Sequence, residues 1–126
     1  MKEFLNKVKE FQKASGQPVN YFPQIILSDK SLLRFNLMEE ENNEYFTANT
    51  NEDIVEVLDA LVDQLYVLLG TINEHGLQTY FEKAFELVHE NNMSKVVNGS
   101  VIRNESGKIL KPEGFVAVDL AKLFKK

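Results

Sequence analysis

The spacing of apolar side chains is helical along most of this chain of 126 residues. Over residues 2–14 they recur every three or four positions, and a glycine and a proline follow, so this pattern predicts a first helix. The next stretch contains two prolines and mixed aromatic residues and indicates an extended connection. A second helix is expected to begin with Ser28 or Asp29 as its N-cap and to end at position 47 or 48.

Two more helices are predicted after a polar turn. Asn51 is expected to cap the third helix, with Glu52 and Asp53 in a first turn where acids are favourable, and this helix extends to about Asn73. The fourth is expected from Leu77 to about position 91. Its predicted inner side consists of Leu77, Phe81, Ala84, Phe85 and Val88.

The remainder of the chain carries weaker signals. An Asn-Gly pair at positions 98–99 lies between valine-rich pairs and indicates a small hairpin or loop, and residues 119–124 suggest a short final helix. The predicted fold is therefore all-α. We expect a bundle of four to five helices in a single domain over residues 1–126, with a small irregular or hairpin segment near the C-terminus.

Composition narrows the class of protein and the kind of site. Hydrophobic residues make up 44% and charged residues 26%, as is ordinary for a globular domain. The absence of cysteine excludes disulfides and thiolate metal sites, and two histidines leave little scope for an imidazole zinc site. A net charge of −5 disfavours binding to nucleic acid. Because no apolar run approaches the roughly 18 residues of a membrane span, and the start lacks an apolar signal core, we expect a cytoplasmic protein that binds no membrane.

Two acidic clusters lie on helix faces that the apolar pattern directs towards the core. The first continues the apolar stripe of helix two and consists of Glu40, Glu41 and Glu44. The second lies on helix three, which is apolar over most of its circumference and is expected to be buried nearly all round. It consists of Glu56, Asp59 and Asp63.

These clusters predict bound divalent cations. No basic residue lies between Met38 and Gln64, so local lysines cannot neutralise the acids. An ionised carboxylate that is buried without a partner costs several kcal/mol, and neighbouring acids add repulsion. Mg²⁺ takes carboxylate, water and phosphate oxygens as ligands. The alternative is that the first cluster is a solvated acidic face.

The order and spacing of these acids resemble a known family. The segments "EENNE" from Glu40 and "EVLD" from Glu56 match the pattern E-E-x-x-E followed by E-x-x-D. This pattern is typical of the all-α nucleoside triphosphate pyrophosphohydrolases, the MazG-like and phosphoribosyl-ATP pyrophosphohydrolase-like group. The segments "FQKASGQPV", "DALVDQLYVLLGT", "VHENNMSK" and "GKILKP" resemble the phosphoribosyl-ATP-like branch, so the resemblance covers nearly the whole chain.

The resemblance implies an activity and a role for each acid. It implies a dimeric or tetrameric helical bundle that uses Mg²⁺, with Mn²⁺ as a substitute, to hydrolyse a nucleoside triphosphate to its monophosphate and pyrophosphate. The implied metal set is Glu40, Glu41, Glu44, Glu56 and Asp59. One of the three glutamates of helix two could also accept the proton of the attacking water. Asp63 ranks below these five, as an outer ligand or as a group that orients one.

Other polar side chains are candidates for contact with the phosphates of a nucleotide. Asn92 and Lys95 follow helix four, and Lys95 is either a phosphate ligand or an exposed lysine at a helix end. Lys111 lies in the "GKILKP" segment. Arg34 is a further candidate, with the alternative that it is only an ion-pair partner of Glu41.

Three functions remain open from the sequence. The first is Mg²⁺-dependent hydrolysis of a nucleoside triphosphate, in particular a deoxynucleotide, and the second is hydrolysis of phosphoribosyl-ATP by the same chemistry. The third is a non-enzymatic, cation-binding helical interaction module. A di-iron site is disfavoured because Glu86 and His89 form only one of the two Glu-x-x-His pairs that it needs. Oligomerisation is expected because helix three is too apolar for one chain to cover, and the resemblance implies a homodimer or homotetramer.

Overall fold

The computed structural model describes residues 1–125, so position 126 of the predicted domain lies outside the described part. Within that range the protein is helical and has no named strand, which confirms the all-α prediction. The four main helices are α1 (Lys2–Ala14), α2 (Ser28–Thr50), α3 (Ile54–His75) and α4 (Gln78–Met93). A final 3-10 turn spans Ala121–Phe124. No helix of the described residues combines the length and the apolarity needed to cross a membrane.

Contacts divide the chain into two compact units. The first is Met1–Thr79, and the second begins at Tyr80. In the first unit, α2 packs along α3, and α1 packs against another side of α3. The single domain over residues 1–126 stays a prediction.

The turn between α2 and α3 differs from the predicted one. Asp53, not Asn51, is the N-cap of α3, because its Oδ1 accepts a hydrogen bond from the backbone N–H of Glu56 at 3.2 Å. Asn51 instead ends α2. At the other end of α2 the N-cap is Leu27, whose side chain makes no capping bond, and Ser28 and Asp29 lie inside the first turn.

The connection after α1 returns to the C-terminal end of α3. The backbone N–H of Asn20 donates to the carbonyl of Asn73 at 3.0 Å, and that of Gln24 donates to the carbonyl of His75 at 2.9 Å. Gly76 ends α3 with φ of 70°, and a Cβ there would collide with the carbonyl of Phe22. The extended connection predicted for this stretch is therefore confirmed, and it fits closely against the helix end.

The buried core of the first unit is small. Its buried apolar side chains are Leu5, Val8, Ile26, Ala48, Ala60, Leu69 and Ile72. The prediction that α3 is buried nearly all round is wrong for a single chain, because α1 and α2 cover only two of its sides. Ile54 and Leu58 are 76% and 64% exposed. The inner side predicted for helix four is also wrong at Phe85 and Val88, which are 64% and 37% exposed.

The second unit is held by turns and by its own side chains. An antiparallel bridge joins Val97 and Ser100 around the Asn98-Gly99 pair, whose φ angles of 54° and 77° confirm the predicted tight turn. The amide Nδ2 of Asn91 at the end of α4 donates to the carbonyl of Val116 at 2.7 Å. This contact fastens the irregular C-terminal segment to the helix.

Candidate active site

The predicted acids lie where α2 and α3 run antiparallel. The amide Nε2 of Gln64 donates to Oδ1 of Asn42 at 3.1 Å across the helix pair. On each helix the acids lie on or beside the stripe that faces the other helix. The two predicted clusters therefore come together, as the metal hypothesis requires.

Three of the acids form a tight group. Glu41, Glu44 and Asp63 each offer one carboxylate oxygen, and these oxygens lie within 4.8 Å of one another. Two oxygens on opposite sides of a Mg²⁺ or Ca²⁺ ion are about 4 to 5 Å apart, so the spacing fits one cation. Asp63, which the sequence ranked below Glu56 and Asp59, is the α3 member of this group.

The other acids line an adjoining cavity. Its volume is about 530 Å³, and it lies between α2 and α3 next to their connecting turn. Its acidic lining consists of Glu40, Glu44, Asp53, Glu56 and Asp59. Glu44 belongs to both groups, so the structure brings all six predicted acids into one region.

The acids are less buried than the sequence suggested. Glu41 and Asp63 are half-buried, whereas the other four are exposed in this chain. The reason is that α1 crosses α3 towards its C-terminal half, where Gln12 Nε2 donates to the carbonyl of Gly70 at 3.0 Å. The end of the helix pair that carries the acids is left open to solvent.

Burial and crowding shift the acids towards their protonated forms. Burial, followed by the neighbouring carboxylates of Glu44, Asp63 and Glu40, raises the pKa of Glu41 to about 7. Burial also raises the pKa of Asp63, with Asp59 and Glu44 adding repulsion. Within residues 1–125, Oε2 of Glu41 is buried and has no hydrogen-bond partner.

These properties fit a bound divalent cation. The donors are carboxylate oxygens only, which is the ligand type that Mg²⁺ and Mn²⁺ accept. A cation would provide the missing partner of Glu41 Oε2 and would relieve the repulsion that raises the two pKa values. The cluster could therefore hold a metal ion.

The second unit brings the predicted lysines together. The Nζ atoms of Lys95 and Lys111 lie 5.6 and 5.8 Å from the centre of the Phe115 ring. Lys95 also donates to Oδ1 of Asn92 at 3.2 Å. Three of the four predicted phosphate-binding residues thus form one group, in which Lys95 is half-buried and Asn92 and Lys111 are exposed. Phe115 is a half-buried member that the sequence did not single out.

Arg34 lies in a different environment. Its Nε donates to Oε2 of Glu74 at 2.9 Å, and its Nη2 donates to Oε1 of Gln17 at 2.8 Å. The ion-pair partner suggested from the sequence, Glu41, is therefore wrong. Neither Glu74 nor Gln17 was marked by any spacing pattern, since each becomes a partner only through the packing of separate segments.

The di-iron candidate is not supported by the acidic group of the described residues. Glu86 and His89 lie exposed on α4. In the described residues neither belongs to the tight acidic group.

A comparison with known families agrees with this geometry. The model of the phosphoribosyl-ATP pyrophosphohydrolase family matches residues 2–92, a range that includes all six acids and ends before Lys95 and Lys111. No curated protein sequence matches the chain. The match covers well over half of the chain, and the protein therefore belongs to the phosphoribosyl-ATP pyrophosphohydrolase family and is a hydrolase of phosphoric anhydrides.

Proposed function

We propose that this enzyme hydrolyses a nucleoside triphosphate, in particular a deoxynucleotide, to its monophosphate and pyrophosphate with Mg²⁺ as cofactor. The observation that carries the proposal is the convergence of Glu41, Glu44 and Asp63 within 4.8 Å. Four more carboxylates line the neighbouring cavity together with Glu44. An acidic site of this kind binds a triphosphate only through cations, because the bare carboxylates repel it.

The acids have distinct roles in this proposal. Glu41, Glu44 and Asp63 hold the cation, and Glu40, Glu56 and Asp59 hold or orient ligands around the cavity. When bound, Mg²⁺ neutralises phosphate charge and makes a bound water more acidic. One of the three glutamates of α2 accepts the proton of the attacking water in this proposal.

The lysine group of the second unit supplies positive charge in this proposal. The ammonium groups of Lys95 and Lys111 share one aromatic ring, and Asn92 orients Lys95. An anionic phosphate chain would reduce the repulsion between the two ammonium groups. We propose that these residues bind substrate phosphates, and we leave Arg34 out of this set because its guanidinium is bonded inside the first unit.

The family match favours a second substrate, phosphoribosyl-ATP. This compound carries the same triphosphate as ATP, so the acids and the lysines would act on it in the same way. The two substrates differ in the bulky group on the base, not in the triphosphate that the metal site is proposed to bind. Both substrates are therefore compatible with one reaction chemistry.

A substrate panel tests the proposal. Purified protein is incubated with each common NTP and dNTP and with phosphoribosyl-ATP, with Mg²⁺ or Mn²⁺, and pyrophosphate and monophosphate are measured. We expect equal amounts of the two products from at least one nucleoside triphosphate. Turnover of phosphoribosyl-ATP alone would establish the second candidate. Release of no pyrophosphate from any compound would favour the non-enzymatic interaction module.

Single variants distinguish hydrolysis at the acidic site from hydrolysis by a contaminating enzyme. Glu41→Gln is expected to lower kcat by about 100-fold or more, because a carboxamide neither binds Mg²⁺ well nor accepts a proton. Glu39→Gln is the matched control, since Glu39 is an exposed acid on the same helix and lies outside the tight group. Equal activity of Glu41→Gln and the unchanged protein would contradict the assignment.

We also propose that the enzyme is a homodimer or homotetramer that assembles through α3. Large apolar side chains form a stripe on the face of α3 that points away from the acids. They are Ile54, Val55, Leu58, Leu61, Val62 and Leu65, and each is at least 37% exposed in the single chain. A contiguous apolar surface of this kind is typical of a protein interface. A cytoplasmic location remains a prediction.

A further inference from the structure

A buried polar cluster joins the first three helices at a distance from the acids. Arg34 of α2 is 5% exposed, and Glu74 of α3 is 3% exposed. Their ion pair, at 2.9 Å from Nε to Oε2, is completed by Gln17, whose Oε1 accepts from Nη2 of Arg34. This pair is the contact that sets the position of the guanidinium, because each nitrogen donates in a fixed direction.

Gly70 gives the guanidinium its space on α3. A Cβ at this position would lie 2.9 Å from Nη1 of Arg34 and 3.4 Å from Nε2 of Gln12. The same Gln12 Nε2 donates to the carbonyl of Gly70, and Oε1 of Gln12 accepts from Asn73 at 2.9 Å. Arg34 therefore lies directly against the backbone of α3 at one turn of that helix, and α1 closes the cluster.

This contact has a fixed relation to the acidic group. On α2, Glu41 lies two helical turns after Arg34 on the same stripe. On α3, which runs in the opposite direction, Asp63 lies two helical turns before Gly70 on the same stripe. When Arg34 faces Gly70, Glu41 must therefore face Asp63, about 10 Å along the helix pair.

The register matters because helices slip in discrete steps. A shift of α2 by one residue would move its side chains by about 1.5 Å along the axis and turn the stripe by about 100°. Such a shift would turn Glu41 and Glu44 away from Asp63. Apolar contacts between α2 and α3 tolerate several registers, whereas a buried, directional ion pair selects one.

We propose that Arg34 is a positioning residue that acts together with Glu74 and Gly70. These three residues fix the register of α2 on α3 and thereby hold Glu41 and Glu44 opposite Asp63 as one cation site. The inference rests on the metal site of the proposed function. It assigns Arg34 a role away from the substrate, and it explains why α3 has a glycine at position 70.

The test compares metal affinity with stability. The double variant Arg34→Met with Glu74→Met removes the directional pair but keeps buried volume, so it is expected to fold. Gly70→Ala keeps every charge and pushes mainly on the guanidinium, with a weaker contact to Gln12. The matched control Val8→Ala weakens the packing of α1 on α3, since Val8 is 3% exposed, and leaves the pair of α2 and α3 untouched.

Mn²⁺ binding to the folded proteins is measured by calorimetry, with thermal unfolding and pyrophosphate release recorded alongside. We expect the double variant and Gly70→Ala to bind Mn²⁺ about tenfold more weakly or worse. We expect Val8→Ala to bind it within about twofold of the unchanged protein although it is less stable.

The outcomes are separable. If the unchanged protein binds Mn²⁺ and the folded variants bind it equally well, the inference is wrong and the metal site stands. If Val8→Ala loses as much affinity as the other variants, stability and not register controls the site, and the inference is wrong. If the double variant does not fold, Gly70→Ala alone decides by the same criterion. If the unchanged protein binds no Mn²⁺, the proposed metal site and this inference fail together.

Discussion

At the scale of single residues, Glu41 shows how the site depends on the charges around it. Burial and neighbouring carboxylates raise its pKa from 4.5 to about 7. A carboxyl that holds its proton more tightly in the folded state stabilises that state at low pH and loses this contribution as pH rises. A cation reverses the effect, because it favours the ionised form.

The first prediction follows from that shift. Without metal, the free energy of unfolding should fall between pH 4.5 and about 7 because of Glu41. Glu41→Gln should remove this decline and be more stable than the unchanged protein at pH 8 by about 1 to 3 kcal/mol. Urea unfolding across this pH range in the presence of a chelator checks it. Identical pH dependence of the two proteins would mean that the pKa of Glu41 is not raised in the metal-free state.

Lys95 and Lys111 lead to a second prediction at this scale. Lys95→Ala and Lys111→Ala should each raise KM by about five- to tenfold, because each removes one charge from a group that contacts bound phosphate. Lys83→Ala serves as the control, since Lys83 is an exposed lysine on α4 outside this group. Steady-state kinetics measure the change. An unchanged KM in both variants would identify the two lysines as ordinary surface residues.

At the scale of secondary structure elements, apolar periodicity was sufficient to locate the helices but not their caps. The four helices follow from the spacing of their apolar side chains, although on α4 part of the predicted inner side is exposed. The cap of α3 was misassigned because Asn51, Glu52 and Asp53 are all polar, and only the backbone path decides which side chain reaches the N–H of Glu56. Glu52 has φ of 55°, which places the reversal of the chain before Asp53.

The site was predictable to the same extent. The acids could be assigned to two stripes from spacing alone, and the structure places these stripes together. The place of Asp63 in the tight acidic group, rather than Glu56 or Asp59, could not be predicted. It depends on the register between α2 and α3. That register is set by Arg34, Glu74 and Gly70, which meet only in the folded chain. The exposure of α3 was misjudged because an apolar helix face predicts that the face is buried. It does not tell whether the same chain or another chain packs against it.

The cap of α3 leads to a third prediction. Asp53→Ala should lower the free energy of unfolding by about 1 kcal/mol, since it removes the hydrogen bond to the N–H of Glu56. Asp29→Ala is the control, because Asp29 lies in the first turn of α2 without acting as its cap, and a few tenths of a kcal/mol are expected. Thermal or urea unfolding of both variants compares them. A larger loss for Asp29→Ala would contradict the assignment of the cap.

At the scale of the whole molecule, the two faces of α3 serve different purposes. One face carries the acids towards α2, and on the opposite face Ile54, Leu58 and Leu61 are exposed in the single chain. A single chain with Leu58 and Ile54 mostly exposed loses much of the burial that normally stabilises a helix as apolar as α3. Self-association would restore that burial without covering the acidic stripe.

The last prediction tests this arrangement directly. Replacing Leu58 and Leu61 with serine together should convert the oligomer into monomers and lower its melting temperature, because the replaced side chains would otherwise be buried between copies. Light scattering after gel filtration measures the mass, and the unchanged protein should melt at a temperature that rises with its concentration. Phe85→Ser is the matched control, since Phe85 is an equally exposed apolar residue on α4. If both variants keep the mass of the unchanged protein, the apolar face of α3 is not the interface, and the exposed stripe must be covered by a different partner.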